Sequence, residues 1–354
     1  MKIANSMAHL FMNRKASDMA DTTLPHRWQI TDFGRQHLQR AEAPVPQPGP
    51  GQILVRVEAA SLNYRDLMVT DNAYGWTPPL PFVPGSDLAG TVLSVGDGVT
   101  RWRGGERVIS TFMAGWLDGA MPPEAFALGG PGPGTLASHV LLDAQWAVAA
   151  PRTLSAAQAS TLPCAALTAW FALVEQGSLR AGQTVLIHGT GGVALFGLQF
   201  ARMHGAQAIV VSGAKDKRDK ALALGASHVQ ARDADWPAAV RELTGGRGAD
   251  QVLETVGGAN LGRSLEALAQ GGRLSVIGVL AGGEISGSAY HAIRSRATIQ
   301  GLSVGHRRAL EDMVRAIDAN ALQPVVAAEY GSDQVPEAFA HLERGAFGKV
   351  VVRF

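Results

Sequence analysis

An apolar strand that runs into a cluster of glycines and then into a long apolar helix constrains the fold of this chain more than any other feature. The strand is Thr184–His188, the turn is Gly189-Thr190-Gly191-Gly192, and the helix covers residues 193–204. Glycine suits the turn because a side chain there would keep a pyrophosphate away from the N–H groups at the positive end of the helix. The residues predicted to form a dinucleotide-binding turn are Gly189, Thr190, Gly191, Gly192 and Val193.

This turn departs in one place from the glycine pattern G-x-G-x-x-G. The position of the third glycine is Ala194, which is acceptable because that residue only has to be small for the helix to pack on the strand. The alternative is a glycine turn with a purely structural role. The succession of strand, turn and apolar helix favours the dinucleotide site.

The chain after Pro151 alternates helical and strand-like segments. The predicted helices are 155–163, 165–175, 193–204, 217–225, 236–244, 261–268 and 308–320. The predicted strands are 184–188, 208–212, 228–230, 251–255, 273–279, 299–303 and 349–354. Strands that are apolar on both faces belong in a parallel sheet covered by helices on either side. This pattern predicts an α/β, doubly wound domain.

The chain before Pro151 reads instead as short strands separated by proline and glycine. Segments at 53–59, 90–95 and 106–110 predict strands of a β-rich, barrel-like domain. Residues 113–134 are rich in Gly and Pro, and loops of that length are usually functional or mobile. A chain of 354 residues is long enough for two domains with separate cores.

Composition excludes several classes of partner. A net charge of +1 with 17% charged residues provides no broad field for nucleic acid or an anionic membrane, so a small molecule is the expected partner. The single cysteine, Cys164, excludes an internal disulfide and favours a reducing, cytoplasmic location. Polar and basic residues interrupt a short apolar patch near the start, so we expect residues 1–24 to be a poorly ordered extension.

The choice of dinucleotide is read at the end of the strand that follows the glycine turn. An acidic residue there would accept from the ribose 2′-OH of NAD and repel a 2′-phosphate. This chain has a small hydroxyl followed by cations, which favours NADP(H). The residues predicted to bind the phosphate are Ser212, Lys215, Lys217, Arg218 and Arg232. Asp216 weakens this interpretation, and a solvated, charged helix start is the alternative.

Two further pairs of residues follow predicted parallel strands. They are Val256-Gly257 and Gly278-Val279. Ligands of such sheets bind outside the carboxyl ends of the strands. We therefore expect both pairs to line the cofactor cleft through their backbone.

Several short motifs accompany these features: Ser61-Leu-Asn-Tyr-Arg-Asp66, Pro84-Gly-Ser-Asp-Leu-Ala-Gly90, Leu162-Pro-Cys-Ala-Ala-Leu-Thr-Ala-Trp170 and Phe347-Gly-Lys-Val350. Together they resemble the medium-chain dehydrogenase/reductase superfamily, and more closely its zinc-independent branch of quinone-oxidoreductase-like and alcohol-dehydrogenase-like proteins. The resemblance implies a GroES-like catalytic domain, a Rossmann domain, a cleft between them and a homodimer. We expect residues 25–160 and 298–354 to form the first domain and residues 161–297 the second.

The resemblance also bears on metal binding. Zinc-dependent relatives place ligands where this chain has Asn63, Ser86-Asp87 and Cys164. A catalytic zinc needs about three protein ligands and an open position, and one thiolate with one carboxylate falls short of that. The structural zinc lobe would need four cysteines, so no metal is expected.

The same resemblance implies roles for individual residues. Asn63 and Thr168 are expected near the nicotinamide, Tyr74 is expected to face the substrate, and Lys349 is expected to border the cofactor from the other domain. Thr168 could alternatively bond its own helix backbone, and Tyr74 could pack at a turn. Asp66 could hold its loop through a backbone hydrogen bond.

Without zinc, a conjugated carbonyl is an easier hydride acceptor than a simple carbonyl. Hydride added at a β carbon leaves a delocalised enolate, which a few hydrogen-bond donors can stabilise. The expected activity is therefore NADPH-dependent reduction of an enone or quinone. Three alternatives stay open: a zinc-independent alcohol dehydrogenase or ketone reductase, an enoyl-thioester reductase, and a non-catalytic NADPH-binding protein.

Overall fold

The computed structural model describes residues 24–73 and 75–354, so the predicted extension at 1–24 lies outside it except for Leu24. The first part of the chain is dominated by short strands. They are β1 (His26–Ile30), β2 (Leu38–Glu42), β3 (Gln52–Leu62), β4 (Asp87–Val95), β5 (Arg107–Ser110), β6 (Met113–Ala114), β7 (Phe126–Ala127), β8 (His139–Asp143) and β9 (Ala147–Ala149). One helix, α1 (Tyr64–Thr70), follows β3.

A continuous helical run of 20 residues, Ala156–Glu175, leads out of this part. It comprises α2 (Ala156–Ala159), a π-helical turn (Leu162–Ala166), α3 (Leu167–Trp170) and a second π-helical turn (Phe171–Glu175). A capping box begins it, in which Ser155 and Gln158 bond each other's backbone. The run is long and apolar enough to cross a membrane, but 83% of its apolar window is buried inside the protein. It is therefore a core helix of the described chain.

The middle of the chain forms a six-stranded sheet in which every pairing is parallel. Its strands are β10 (Thr184–His188), β11 (Gln207–Ser212), β12 (His228–Ala231), β13 (Ala249–Glu254), β14 (Leu268–Val276) and β15 (Thr298–Gly301). Its helices are α4 (Gly192–Met203), α5 (Lys215–Ala223), α6 (Trp236–Leu243), α7 (Asn260–Glu266) and α8 (Ala289–Ser295). The order β12-β11-β10-β13-β14-β15 reverses direction at β10, which confirms the doubly wound prediction.

The last part of the chain returns to the first sheet. Its elements are α9 (Arg307–Asn320), β16 (Val326–Gly331), α10 (Val335–Glu343) and β17 (Lys349–Arg353). The resulting seven-stranded sheet has the order β16-β17-β3-β4-β5-β9, with β8 also paired to β3. Its pairings are antiparallel apart from β16 with β17. The GroES-like domain is thus built from the first and the last part of the described chain.

The return to the first domain comes later than the sequence pattern suggested. The predicted boundary at residue 298 coincides with the start of β15, which pairs with β14 from Arg273 to Val276. This short strand is partly exposed at the edge of the sheet, so its sequence lacks the fully apolar signature of the inner strands. By contrast, Val185, Leu186 and Ile187 in β10 are completely buried.

Candidate active site

The dinucleotide turn joins β10 to α4. Gly189 has a φ of +84°, a left-handed conformation that favours glycine. Gly191 is the N-cap of α4, and none of the described side chains caps this end. A Cβ built on Gly191 would meet no described atom within 4 Å. Because the first N–H groups of a helix lack intrahelical partners, this open space fits an anion such as a pyrophosphate.

The same turn is a contact between the two domains. Gly348 N donates to Thr190 O at 3.0 Å, and Gly191 and Gly348 form an isolated parallel bridge. A Cβ on Gly192 would lie 2.6 Å from Cδ of Lys349. Glycine at position 192 therefore lets the Lys349 side chain approach, whereas glycine at 191 leaves room for a ligand. Val193 follows in the first turn of α4 and is half-buried.

The two pairs predicted to line the cleft lie side by side. Gly257 has a φ of +74°, and a Cβ there would lie 2.7 Å from Gly278 O. A Cβ on Gly278 would lie 2.0 Å from Thr255 O, so a side chain is excluded. Val256 is half-buried and Val279 is exposed. The two loops pack backbone against backbone at the carboxyl edge of the sheet.

A buried carboxylate that the sequence pattern did not reveal fixes this edge. Glu254, the last residue of β13, is fully buried. Its Oε1 accepts from the backbone N–H groups of Val256 at 2.9 Å and Gly257 at 3.1 Å. Its Oε2 accepts from Asn260 Nδ2 at 2.8 Å and Ser264 Oγ at 2.7 Å. Four donors satisfy the two buried oxygen atoms, and these hydrogen bonds fix the shape of the loop.

His188 joins the same network from the end of β10. Its Nε2 lies 2.9 Å from Ser264 Oγ, and its ring packs edge-on against Trp236. Burial lowers the pKa of His188, although Glu254 Oε2 lies 3.7 Å away and opposes the shift. A neutral imidazole therefore links β10, through Ser264 and Glu254, to the loop that contains Val256 and Gly257.

Three of the phosphate-binding candidates, Ser212, Arg218 and Arg232, lie beside Gly213 at the end of β11. Ser212 ends β11 and is buried. Guanidinium atoms of the exposed Arg232 lie 3.8–3.9 Å from the position of a Cβ on Gly213. Arg218 instead donates to Ser212 O at 2.8 Å and Gly213 O at 2.7 Å, which fixes the turn between β11 and α5.

The two lysines of that prediction have other partners in this structure. Lys215 Nζ pairs with Asp219 at 2.8 Å on the exposed face of α5. Lys217 Nζ donates to Gly345 O at 2.8 Å. The surface pairing of Lys215 agrees with the alternative prediction of a solvated, charged helix start. Lys217 links α5 to the catalytic domain.

A buried polar cluster lies where β3 ends and β4 begins. Asp87 is at its centre and is completely buried. Its carboxylate accepts from Asn63 Nδ2 at 3.0 Å, Ser86 Oγ at 3.1 Å and Ser61 Oγ at 3.3 Å. The backbone N–H of Cys164 donates to it as well. The cluster therefore joins the catalytic domain to the helical run that follows it.

Lys349, the first residue of β17, brings a positive charge into this cluster. Its Nζ donates to Leu62 O at 2.7 Å and to Asn63 Oδ1 at 2.5 Å, and it lies 3.9 Å from Asp87 Oδ2. Only 4% of Lys349 is exposed. Burial raises the pKa of Asp87, and the charge of Lys349 is the main influence that opposes the rise. Both ends of the Asn63 amide are therefore engaged.

A second buried ion pair adjoins the cluster. Asp66 Oδ2 accepts from Asn63 N at 2.7 Å, so this carboxylate holds its loop through a backbone hydrogen bond. Arg65 Nη1 lies 3.9 Å from Asp66 Oδ1, and the guanidinium donates to Leu128 O and Gly130 O. Burial raises the pKa of Asp66 to about 6. Through its bonds to Leu128 O and Gly130 O, Arg65 anchors the Gly- and Pro-rich segment 113–134 beside the cluster.

The remaining catalytic candidates are Thr168 and Tyr74. Thr168 Oγ1 is buried and donates to Cys164 O at 2.7 Å, the backbone contact that was the alternative to a catalytic role. Tyr74 lies outside the described residues. Burial, reinforced by the charge of Asp87, raises the pKa of the Cys164 thiol, which makes it a poor nucleophile.

Two family models match this chain. The alcohol dehydrogenase GroES-like domain matches residues 49–152, and the zinc-binding dehydrogenase model matches residues 192–319. A zinc-type alcohol dehydrogenase-like protein of Schizosaccharomyces pombe is 37% identical over 334 residues, which covers 90% of this chain and 96% of that protein. The chain belongs to the medium-chain dehydrogenase/reductase superfamily. A quinone oxidoreductase of Rattus norvegicus is 28% identical over 338 residues, covering 92% and 96%.

Solved structures of this superfamily agree. A putative alcohol dehydrogenase from Sinorhizobium meliloti 1021 is 53% identical, with a TM-score of 0.90 and coverage of 93% of this chain and 98% of that one. An NAD-dependent alcohol dehydrogenase is 31% identical, with a TM-score of 0.86 and coverage of 94% and 100%. A mycobacterial protein complexed with NADPH is 26% identical, with a TM-score of 0.79 and coverage of 93% and 100%. This medium-chain dehydrogenase/reductase is an oxidoreductase with the expected two-domain fold.

Zinc does not fit the residues at the positions where zinc-dependent relatives place their ligands. Within 24–73 and 75–354, no three His, Cys, Asp or Glu side chains group closely enough to hold a metal ion. The Asn63 amide is already bonded at both ends, and burial disfavours the thiolate of Cys164. The ammonium of Lys349 lies against Asn63 and would repel a divalent cation.

Proposed function

We propose that this medium-chain dehydrogenase/reductase is an NADPH-dependent, zinc-independent oxidoreductase that transfers hydride to a conjugated carbonyl, an enone or a quinone. The buried cluster of Asn63, Asp87 and Lys349 carries the proposal, because an amide, a carboxyl group and an ammonium ion stand where a metal site would need its ligands. Such groups suit an enolate, whose charge is delocalised, better than an alkoxide. The likeness to a quinone oxidoreductase supports this substrate class.

NADPH is the proposed cofactor because of the residues at the end of β11. Ser212 stands where an acidic residue would repel a 2′-phosphate, and Arg232 lies beside Gly213. A guanidinium group can hold a phosphate through two parallel hydrogen bonds. The neighbour complexed with NADPH supports this choice, whereas the NAD-dependent neighbour makes cofactor preference an early measurement.

Bound at the glycine turn, the cofactor supplies the hydride. The protein's part is binding and orientation. The open space at Gly191 and the first turn of α4 receive the pyrophosphate, and the loop held by Glu254 lines the cleft. The cluster around Asn63 and Lys349 approaches from the other domain. Fixed geometry and a fixed charge are what these residues contribute to the rate.

We also propose a homodimer. The segment around α8 exposes apolar side chains, with Leu280 57%, Tyr290 67% and Ile293 75% exposed. Among the described strands, β15 pairs on one side only, with β14. Two such edges paired across a two-fold axis would satisfy the free backbone groups and cover the apolar residues. Light scattering should give twice the chain mass, and a monomer would contradict the proposal.

The experiment that tests the proposed activity is NADPH oxidation by chelator-treated protein. A quinone, an enone and a saturated ketone are offered with NADPH and with NADH, and an alcohol is offered with NADP⁺. We expect turnover of the conjugated acceptors with NADPH. Turnover of the alcohol or saturated ketone by untreated protein, abolished by the chelator, would contradict the proposed activity. The Gly191→Val variant, which fills the pyrophosphate space, serves as the control for contaminating reductases.

The 53% identity to a putative alcohol dehydrogenase favours a second candidate, a zinc-independent alcohol dehydrogenase or ketone reductase. For this candidate, the same experiment should show turnover of the saturated ketone, and this activity should persist after chelator treatment. The two candidates differ in which carbon receives hydride, so the acceptor panel separates them.

A further inference from the structure

One side chain connects the dinucleotide turn to the buried polar cluster. The alkyl chain of Lys349 packs against Gly192, where a Cβ would lie 2.6 Å from Cδ. Its ammonium lies 2.5 Å from Asn63 Oδ1 and 2.7 Å from Leu62 O. The backbone beside it is fixed as well, because Gly348 N donates to Thr190 O. Lys349 therefore spans the cofactor turn of one domain and the cluster of the other.

The cluster contains two buried cationic side chains and two buried carboxyl groups. Arg65 and Lys349 are 7% and 4% exposed, and the carboxylates of Asp66 and Asp87 are completely buried. Arg65 lies next to Asp66, and Lys349 is the cation next to Asp87. A buried charge that loses its partner is strongly unfavourable. Lys349 is thus the cation that partly offsets the effect of burial on Asp87 beside Asn63.

The ammonium also fixes the orientation of the Asn63 amide. Lys349 donates to Oδ1, while Nδ2 donates to Asp87 Oδ2 at 3.0 Å and contacts Ser86 Oγ at 3.2 Å. Without the ammonium, Oδ1 would lose its donor and Asp87 its nearest cation. The Asn63 and Asp87 side chains would then exchange partners within the cluster, so the position of the Asn63 amide at the end of β3 would no longer be fixed.

We propose that Lys349 is a positioning residue for hydride transfer. Its ammonium group holds the Asn63 amide and the Asp87 carboxylate in place, and its alkyl chain ties this cluster to the dinucleotide turn. The inference rests on the proposed hydride-transfer function but not on the choice of acceptor. It goes beyond a lysine that only borders the cofactor, because the ammonium is directed to Leu62 and Asn63 and not to the open space at Gly191.

Three variants of the full-length protein test the proposal. Lys349→Met removes the charge at similar length, and Lys349→Arg keeps a charge with a different shape. Lys220→Met makes the same change at an exposed lysine and is the matched control. Hydride transfer is measured in single turnovers with NADPH and with its 4-deuterated form, and the NADPH dissociation constant is measured separately.

We expect Lys349→Met to slow hydride transfer at least tenfold while the NADPH dissociation constant changes less than threefold. The deuterium isotope effect on kcat should rise, because hydride transfer becomes rate-limiting. Lys349→Arg should recover part of the rate, and Lys220→Met should behave as the wild type. A purely structural role for Lys349 would not change the isotope effect.

The single Lys349→Met variant leaves Asp87 buried without its nearest cation and could fold poorly, so a double variant with Asp87→Asn is included. We expect it to melt at a higher temperature than the single variant but to remain slow in hydride transfer. A fast double variant, or a rate loss matched by an equal loss of NADPH affinity, would overturn the role of Lys349. A wild type that turns over only saturated substrates would overturn the proposed function and leave the Lys349 comparison intact.

Discussion

Asp66 is a buried carboxyl group whose ionisation should make the stability of the protein depend on pH. Its Oδ2 accepts from Asn63 N, and Arg65 Nη1 lies 3.9 Å from its Oδ1. Burial raises the pKa of Asp66 from its usual 3.8 to about 6, with the charge of Arg65 opposing the rise. The Asp66→Asn replacement keeps an acceptor for Asn63 N and removes the ionisation.

The sign and size of the effect follow from the raised pKa. The folded chain binds this proton more tightly than the unfolded chain, so the stabilisation is complete below pH 3.8 and is lost as the pH rises through about 6. The difference between these two values corresponds to about 3 kcal/mol, of which about 2 kcal/mol is lost between pH 4.5 and 7.5. For a chain of this length that is about 3 °C in melting temperature.

The assay is thermal unfolding of the wild type and the Asp66→Asn variant at pH 4.5, 6.0 and 7.5 and constant ionic strength. We expect the melting temperature of the wild type, relative to the variant, to be about 3 °C higher at pH 4.5 than at pH 7.5. Asp97→Asn makes the same chemical change at an exposed carboxyl group and is the control. Because this side chain is exposed, the control reports the effect of the chemical change alone.

A constant difference between the wild type and Asp66→Asn would contradict a raised pKa of Asp66 in the folded chain. A difference that grows in favour of the wild type toward pH 7.5 would refute it more strongly, because it would mean that the charged carboxylate stabilises the fold. Either result would show that burial does not dominate the pKa of Asp66.

Three further predictions concern the cofactor site. Gly191→Val fills open space, so the melting temperature should hold while the NADPH dissociation constant in fluorescence titration rises at least about 100-fold, or about 3 kcal/mol; retained binding would contradict the pyrophosphate site. Arg232→Gln should weaken NADPH about tenfold and NADH less than twofold, and equal weakening would contradict a phosphate contact. Glu254→Gln either turns its amide nitrogen toward Asn260 Nδ2 or takes an acceptor oxygen away from the loop. Either change should lower the free energy of unfolding in urea by about 1–3 kcal/mol, and an unchanged free energy would contradict the network.

The parallel domain could be predicted from the sequence because its signals are local. The strand Thr184–His188 has the predicted bounds, and α9 begins one residue before the predicted 308. Apolar runs, glycine turns and amphipathic helices each occupy consecutive residues, so a single stretch of sequence reveals them. At the exposed edge strand β15 these signals weaken, and the predicted domain boundary falls there.

The site could be predicted only in part, because side-chain direction depends on distant residues. The strand, glycine turn and helix follow one another as the sequence predicts. Lys349 and Asn63 are separated by 286 positions, and nothing local shows that the ammonium reaches the amide. Arg218 matched a phosphate-binding pattern, yet it bonds backbone carbonyls at the end of β11.

Glu254 illustrates a signal that was present and missed. A charged residue that ends an apolar strand, directly before Val256-Gly257, can survive burial only if nearby N–H groups satisfy it. The structure supplies those groups in the following loop. Such a residue is therefore a useful marker for a structured loop at the carboxyl edge of a parallel sheet.

The carbon atom that receives the hydride distinguishes a conjugate reductase from a carbonyl reductase. Protein of known metal content is given NADPH deuterated at the transferable position and a simple enone, and the product is analysed by NMR. We expect deuterium at the β carbon, a saturated ketone as product and no dependence on bound zinc. Deuterium at the carbonyl carbon, with an allylic alcohol as product and activity that follows zinc content, would contradict it.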